Sequence, residues 1–310
     1  MPMQNKEARR RFERELRTVR DSAENTIQAY LRALDGLGSF LSKRGVKLTQ
    51  APRNEVLAWR ESLDDKSPST IKIAVCAARS FYDFMVDEGV IQTSPVPSKL
   101  RVKVKRRDPD GVPTVEQFLE LRKNLERPIK WKGAMPVDTR RAIVELLAGT
   151  GLRIDAALTM PSCLLRLDGD NPHVYVNPDM MSCKGKTAGE VPMSPYAARI
   201  LREYMANRPI TDKPLFPYTA TGFRGVLKKV SPDGVTVKPH SLRHFYVSMV
   251  YFRNFEGGRY DVRWSRDAAG HSNISVTDGY LKLAKRICPS DELWEAWADG
   301  KPAEERRATA

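Results

Sequence analysis

Between His240 and Tyr280 the chain sets His240, Arg243 and His271 at polar positions among apolar neighbours, and a tyrosine closes the stretch nine residues after His271. Phosphate chemistry uses this inventory. Arginine is a planar, permanently charged fork that binds two phosphate oxygens at once. Histidine titrates near neutrality, so it can donate to a developing oxyanion or move a proton. A tyrosine hydroxyl can attack phosphorus and leave again without water or metal. An earlier segment, Thr150-Gly151-Leu152-Arg153-Ile154, adds a second arginine where a glycine stops one apolar helix and Arg153 opens the next. A helix start disfavours a cation, so an anion is the natural partner of Arg153.

Each of these residues also has an ordinary reading. An arginine at a helix start often makes only a surface contact. A tyrosine on an amphipathic helix is usually core, and without the upstream His and Arg that reading of Tyr280 would prevail. His240 and His244 stand four apart, the spacing of two ligands on one helix face, but Arg243 between them would repel a metal cation. Cys183-Lys184-Gly185-Lys186-Thr187 puts two lysines on a predicted hairpin tip, where a mobile, solvated pair is the common case. Cys76, Cys163, Cys183 and Cys288 are widely spaced, which suggests neither a disulfide framework nor a zinc finger. No metal or cofactor is expected.

Taken together, Thr-Gly-Leu-Arg at 150–153, His240-x-x-Arg243 and Gly270-His271 followed by Tyr280 resemble the motifs of the tyrosine recombinase (phage integrase) family. Their order and the final nine-residue spacing make the resemblance specific. It implies that Tyr280 attacks a DNA backbone phosphate to give a 3′-phosphotyrosine and a free 5′ hydroxyl. Arg153 and Arg243 would hold the nonbridging oxygens, and His240 and His271 would donate to the same phosphate or move the tyrosine proton. Related members carry a catalytic lysine on a hairpin eight residues before a proline. Counting back from Pro192 selects Lys184 as the acid for the leaving oxygen, with Lys186 the alternative. This choice requires an insertion near Asp168 to Pro172. One departure concerns the usual acid three positions after the first arginine, where Ala156 stands here and the acid is Asp155. The resemblance further implies double-stranded DNA as partner, a homotetramer passing through a Holliday junction, and a segment after Tyr280 that docks on a neighbouring protomer. Accessory DNA-bending factors are a further class of partner. Two rivals share parts of the pattern: a nicking-closing topoisomerase and a non-catalytic DNA-binding regulator.

The elements that must position these groups divide in two. At 310 residues and a formal net charge of +14, the chain can build two cores and attracts a polyanion. No apolar run approaches a membrane span, so a cytoplasmic, nucleoid-associated protein is expected. Residues 1–20 are rich in arginine, read as a solvated helix start with a DNA-contacting arm as the alternative. Ile27, Tyr30, Leu31, Leu34, Leu37 and Leu41 then give one helical stripe. Further helices are predicted over 53–63, with Val56, Leu57 and Trp59 available to the core, and from Ser67-Pro68 through Met85. The front, residues 1–97, therefore reads as a helical bundle, and the resemblance makes it a SAM-like core-binding domain.

Residues 98–112 form a basic linker in which Lys103, Lys105, Arg106 and Arg107 are candidate DNA-backbone contacts. By resemblance such a linker lies along the duplex while the two domains clamp it. Residues 113–310 form the second domain, catalytic by resemblance. Its predicted helices begin at Thr114, with Gln117 as a capping partner, and near Val137, then cover 195–208 and 221–230, and follow from Ser241, around Tyr280 and at Trp294 and Trp297. Strands are predicted at 173–176 and 190–193, and disorder from about Lys301. The fold class is mainly α with a small β-sheet (α+β).

Overall fold

Ala8, Phe12 and Leu16, at four-residue steps, turn the arginine-rich start into α1 (Asn5–Thr18) and bury one of its faces. The structure, a computed structural model, describes residues 5–103, 110–129, 134–169, 171–183, 188–257, 283–284 and 286–299, with 251–257 as backbone only. The chain divides into two compact units, residues 1–106 and 107–310.

In the front unit, α1 is followed by α2 (Glu24–Lys43), α3 (Arg53–Glu61) and α4 (Pro68–Asp87). The Ser67 hydroxyl accepts from the Thr70 amide at 3.1 Å, and Pro68 takes the first helical position, where no amide donor is needed. The predicted stripe of α2 is buried at Ile27, Leu31, Leu34, Leu37 and Leu41. Phe12 meets Phe81 edge to face at 5.5 Å, joining α1 to α4 in the same core. Past Gly89, the Arg79 guanidinium donates to the carbonyls of Pro97 (3.2 Å) and Leu100 (2.7 Å), and Leu100 packs on the bundle. The exit segment is thus held to the front unit as far as residue 100.

In the second unit, Thr114 and Gln117 form a reciprocal capping box that starts α5 (Val115–Asn124). Next come α6 (Val137–Thr150) and α7 (Ile154–Thr159). A three-stranded antiparallel sheet follows, in the order β1 (Leu165–Arg166), β2 (His173–Val176), β3 (Gly189–Pro192). Val174 pairs with Val191 and Tyr175 with Glu190. Then come α8 (Pro195–Met205), α9 (Ala220–Val230), α10 (Pro239–Gly257) and α11 (Asp291–Asp299). The unbroken run from Ala142 to Thr150 is buried, so α6 is the central rod on which α8 and α10 pack. Phe118 stacks on Phe245 at 4.7 Å, tying α5 to α10.

Several expectations are revised. The arginine-rich start is a packed helix rather than a purely solvated one, because Ala8, Phe12 and Leu16 recur at four-residue steps and bury one face in the front core. Leu57 lies outside the front core, on the flank of α3 away from Val56 and Trp59. The helices predicted over 53–63 and 195–208 stop at Glu61 and Met205, and turns complete the segments. Strand β1 was not predicted, since two residues carry no alternation. The candidate insertion at Asp168 to Pro172 falls in the connection between β1 and β2, with Gly169 at φ +80°. The last described helix, α11, is tied to α5 by Arg122, which pairs with Glu145 at 2.8 and 2.9 Å and donates to the Trp297 carbonyl at 3.0 Å. No helix among the described residues is long and apolar enough to cross a membrane.

Candidate active site

The turn between α6 and α7 is built on two glycines, one on each side of Thr150. Gly151 has φ +63°, the left-handed conformation that ends a helix and that residues with a Cβ rarely adopt. A Cβ there would also stand 2.4 Å from the ring of Tyr246 on α10. At Gly149 a Cβ would stand 2.4 Å from the Ala197 methyl on α8, and the Gly149 carbonyl accepts from the Ser194 amide at 3.2 Å. Both helices therefore press on the same turn. The Thr150 hydroxyl donates back to the Leu146 carbonyl and accepts from the Leu152 amide at 3.3 Å, closing the turn from within.

This turn delivers Arg153, half-buried at the start of α7, toward the first turns of α10. There Arg243 is 2 % exposed and donates through its guanidinium to the Gly151 carbonyl. The two arginine segments, 90 residues apart in sequence (Arg153 to Arg243), are thereby hydrogen-bonded to each other. His240, one turn earlier on α10, keeps an exposed edge. Partial burial, then the charge of Arg243, then that of Arg153, hold its imidazole below the ordinary histidine range. Two guanidiniums and an imidazole thus act on one another at the point where α10 meets the Gly151 turn. A phosphate diester placed there would meet forked donors and a histidine able to exchange a proton.

The sheet reaches the same place. The Tyr246 hydroxyl donates to the Pro192 carbonyl at the end of β3 (3.1 Å), while the Tyr246 ring covers Gly151. At the other end of the connection, the Ser182 amide donates to the Thr159 hydroxyl at 2.8 Å, anchoring residue 182 to the end of α7. Lys184 and Lys186 follow within four residues, but they lie outside the described residues. So do His271, Tyr280, Lys105, Arg106 and Arg107. Lys103 is exposed where the front unit ends. Ala156 is buried and the adjacent Asp155 is exposed, so a carboxylate at the family's usual position would have to enter an apolar site. Sequence reading missed Gly149, Ser194 and Tyr246. The Gly-x-Gly spacing was a visible signal for the first, whereas nothing in the sequence marks the other two.

Similarity to known proteins identifies the family. Residues 10–89 match the model of the phage integrase N-terminal SAM-like domain, and residues 114–286 match that of the phage integrase family. Tyrosine recombinase XerC of Erythrobacter litoralis is 30% identical over 281 residues, covering 86% of this chain and 85% of that protein. Tyrosine recombinase XerD of Oceanobacillus iheyensis is 26% identical over 297 residues, 87% of this chain and 91% of that protein. Among solved structures, a lambda integrase dimer bound to a COC′ core site shares the fold with a TM-score of 0.63 at 19% identity, over 88% of this chain and 93% of the other. The Tn1549 transposon integrase in complex with transposon right end DNA does so with a TM-score of 0.64 at 16% identity, over 98% and 99%. The chain belongs to the phage integrase family and is a site-specific DNA recombinase.

Proposed function

We propose that this recombinase cuts and rejoins duplex DNA through a 3′-phosphotyrosine on Tyr280, with Arg153, Lys184, His240, Arg243 and His271 completing the site. The observation that supports this assignment most is the meeting of Arg153, His240 and Arg243 at the Gly151 turn. Arg153 and Arg243 hold the nonbridging oxygens of the scissile phosphate. Their charge opposes the charge that grows as Tyr280 attacks, an effect worth about 3 kcal/mol for a preorganised donor in comparable sites. His240, whose pKa burial and the same guanidiniums lower in the free protein, can take the tyrosine proton or donate to the phosphate once the anion is bound. Lys184 protonates the departing 5′ oxygen. A 5′ hydroxyl from a partner duplex then attacks the phosphotyrosine and restores the diester, so the bond energy is conserved.

The working form is a tetramer on two synapsed duplexes, with accessory DNA-bending factors as a further class of partner. Residues 1–97 serve as the core-binding domain and 113–310 as the catalytic domain. The segment 98–112 between them places Lys103, Lys105, Arg106 and Arg107 along the DNA backbone. The decisive test is Tyr280→Phe on a suicide duplex. The variant should bind DNA as the parent does and form no covalent adduct on a denaturing gel; an adduct would remove Tyr280 as nucleophile.

A further inference from the structure

His244 follows His240 by one turn of α10, and the two rings meet edge to face, with centroids 4.4 Å apart and planes at 74°. His240 is the exposed member of the pair and His244 the half-buried one. Rotation of an imidazole about its Cβ–Cγ bond is broad, so an unsupported ring swings through a wide range of planes. For a ring with an exposed edge, solvent offers little resistance to that swing. The described charged groups acting on His240 are Arg243, on its own helix, and Arg153, from the α6–α7 turn. Both are cations, so they repel a protonated imidazole and do not select one ring plane. The edge-to-face contact with His244 does restrict the plane.

We propose that His244 is a positioning residue for strand cleavage, whose ring holds the plane of His240 in line with the phosphate between Arg153 and Arg243. The proposal rests on the assignment of this region as the phosphate site. His244 acts through its ring and takes no part in proton transfer. Proton transfer and donation to a phosphate oxygen both require a nitrogen at hydrogen-bond distance and in line, so a ring free to swing out of that plane is competent for only part of the time.

The test uses the full chain and a suicide duplex, reading the single-turnover rate of covalent adduct formation. His244→Gln keeps polarity and much of the volume but removes the ring, and should slow adduct formation by about tenfold with DNA affinity unchanged. His244→Phe restores a flat ring without nitrogens and should return the rate to within about twofold of the parent. In a His240→Ala background, His244→Gln should cause no further loss, because a residue that acts through His240 has nothing left to position. Additive losses in that double variant would overturn the proposal, as would a His244→Phe enzyme as slow as His244→Gln, which would mark the nitrogen as the working part. A parental rate in His244→Gln would overturn it too. Failure of the parent chain to form any adduct would overturn the phosphate-site assignment itself, whereas the other outcomes leave that assignment standing.

Discussion

Helix α1 and the Gly151–α10 junction are both rich in cationic side chains, yet they use them in opposite ways. On α1, Arg9 pairs with Asp35, Arg10 with Glu7, Arg11 with Glu88 and Arg17 with Glu13 and Glu24. These charges are answered within the protein, on its surface, where water and salt screen them. At the junction, Arg243 is nearly sealed from solvent and braces a backbone carbonyl, and the two charges acting on His240 are both positive. Arginine count alone thus says little about a phosphate site. What separates the two regions is whether the folded chain supplies carboxylates or carbonyls and more cations around the guanidinium. Gathering like charges is unfavourable in the free protein, and the proposed phosphate would relieve it.

Substitution at the junction should therefore produce the largest effect. Arg243→Lys keeps the charge but cannot reproduce the fork that holds the Gly151 carbonyl and, in the proposed site, a phosphate oxygen. Cleavage of a suicide duplex should fall by about 10²- to 10³-fold; a rate near that of the parent would place Arg243 outside the reaction and erase the contrast with α1.

The basic run between the units tests a third use of positive charge. Neutralising Lys103, Lys105, Arg106 and Arg107 together removes up to four phosphate contacts. The slope of log affinity against log salt should then become shallower by about 3 to 4, with sequence preference little changed. An unaltered slope would assign the run to solvation alone.

A smaller and more local effect concerns the His240 imidazole. In the free protein it should titrate below about 6.5, because burial and two neighbouring cations oppose the proton. Arg153→Gln removes one of those cations, so the midpoint seen in an NMR histidine titration should move upward, toward 6.5. The same depression makes the native state bind fewer protons than the unfolded chain between the two midpoints. This contribution to stability is accordingly present above about 6.5 and is lost as pH falls through that window. A midpoint unmoved by Arg153→Gln would mean that the two groups do not share a site.

On α1 the expected effect is the smallest. Arg17→Gln removes an exposed ion pair and should leave the melting temperature and the cleavage rate as they were. A clear fall in DNA affinity would show that its carboxylate pairing yields to a phosphate, and the contrast between the two regions would narrow.

Much of the architecture was legible because it rests on local rules. The stripe on α2, the Ser67-Pro68 start of α4 and the capping box at Thr114 and Gln117 each depend on residues within a few positions of one another. The same holds for the left-handed stop at Gly151. Strand β1 was not legible, because two residues cannot show an alternation. On α1 the period of Ala8, Phe12 and Leu16 is regular, but the arginines that crowd the helix drew the reading toward a solvated one.

For the site, residue types pointed to the candidate chemistry, and the resemblance to the phage integrase motifs put Arg153, His240 and Arg243 in one set. Tertiary structure alone decided how the first two motifs meet. The Arg243 bond to the Gly151 carbonyl, the seat of Tyr246 on that glycine and the closeness of Gly149 to Ala197 join segments roughly 50 to 90 residues apart. No local pattern encodes such contacts, because they depend on which faces of α6, α8 and α10 come together once all three are packed.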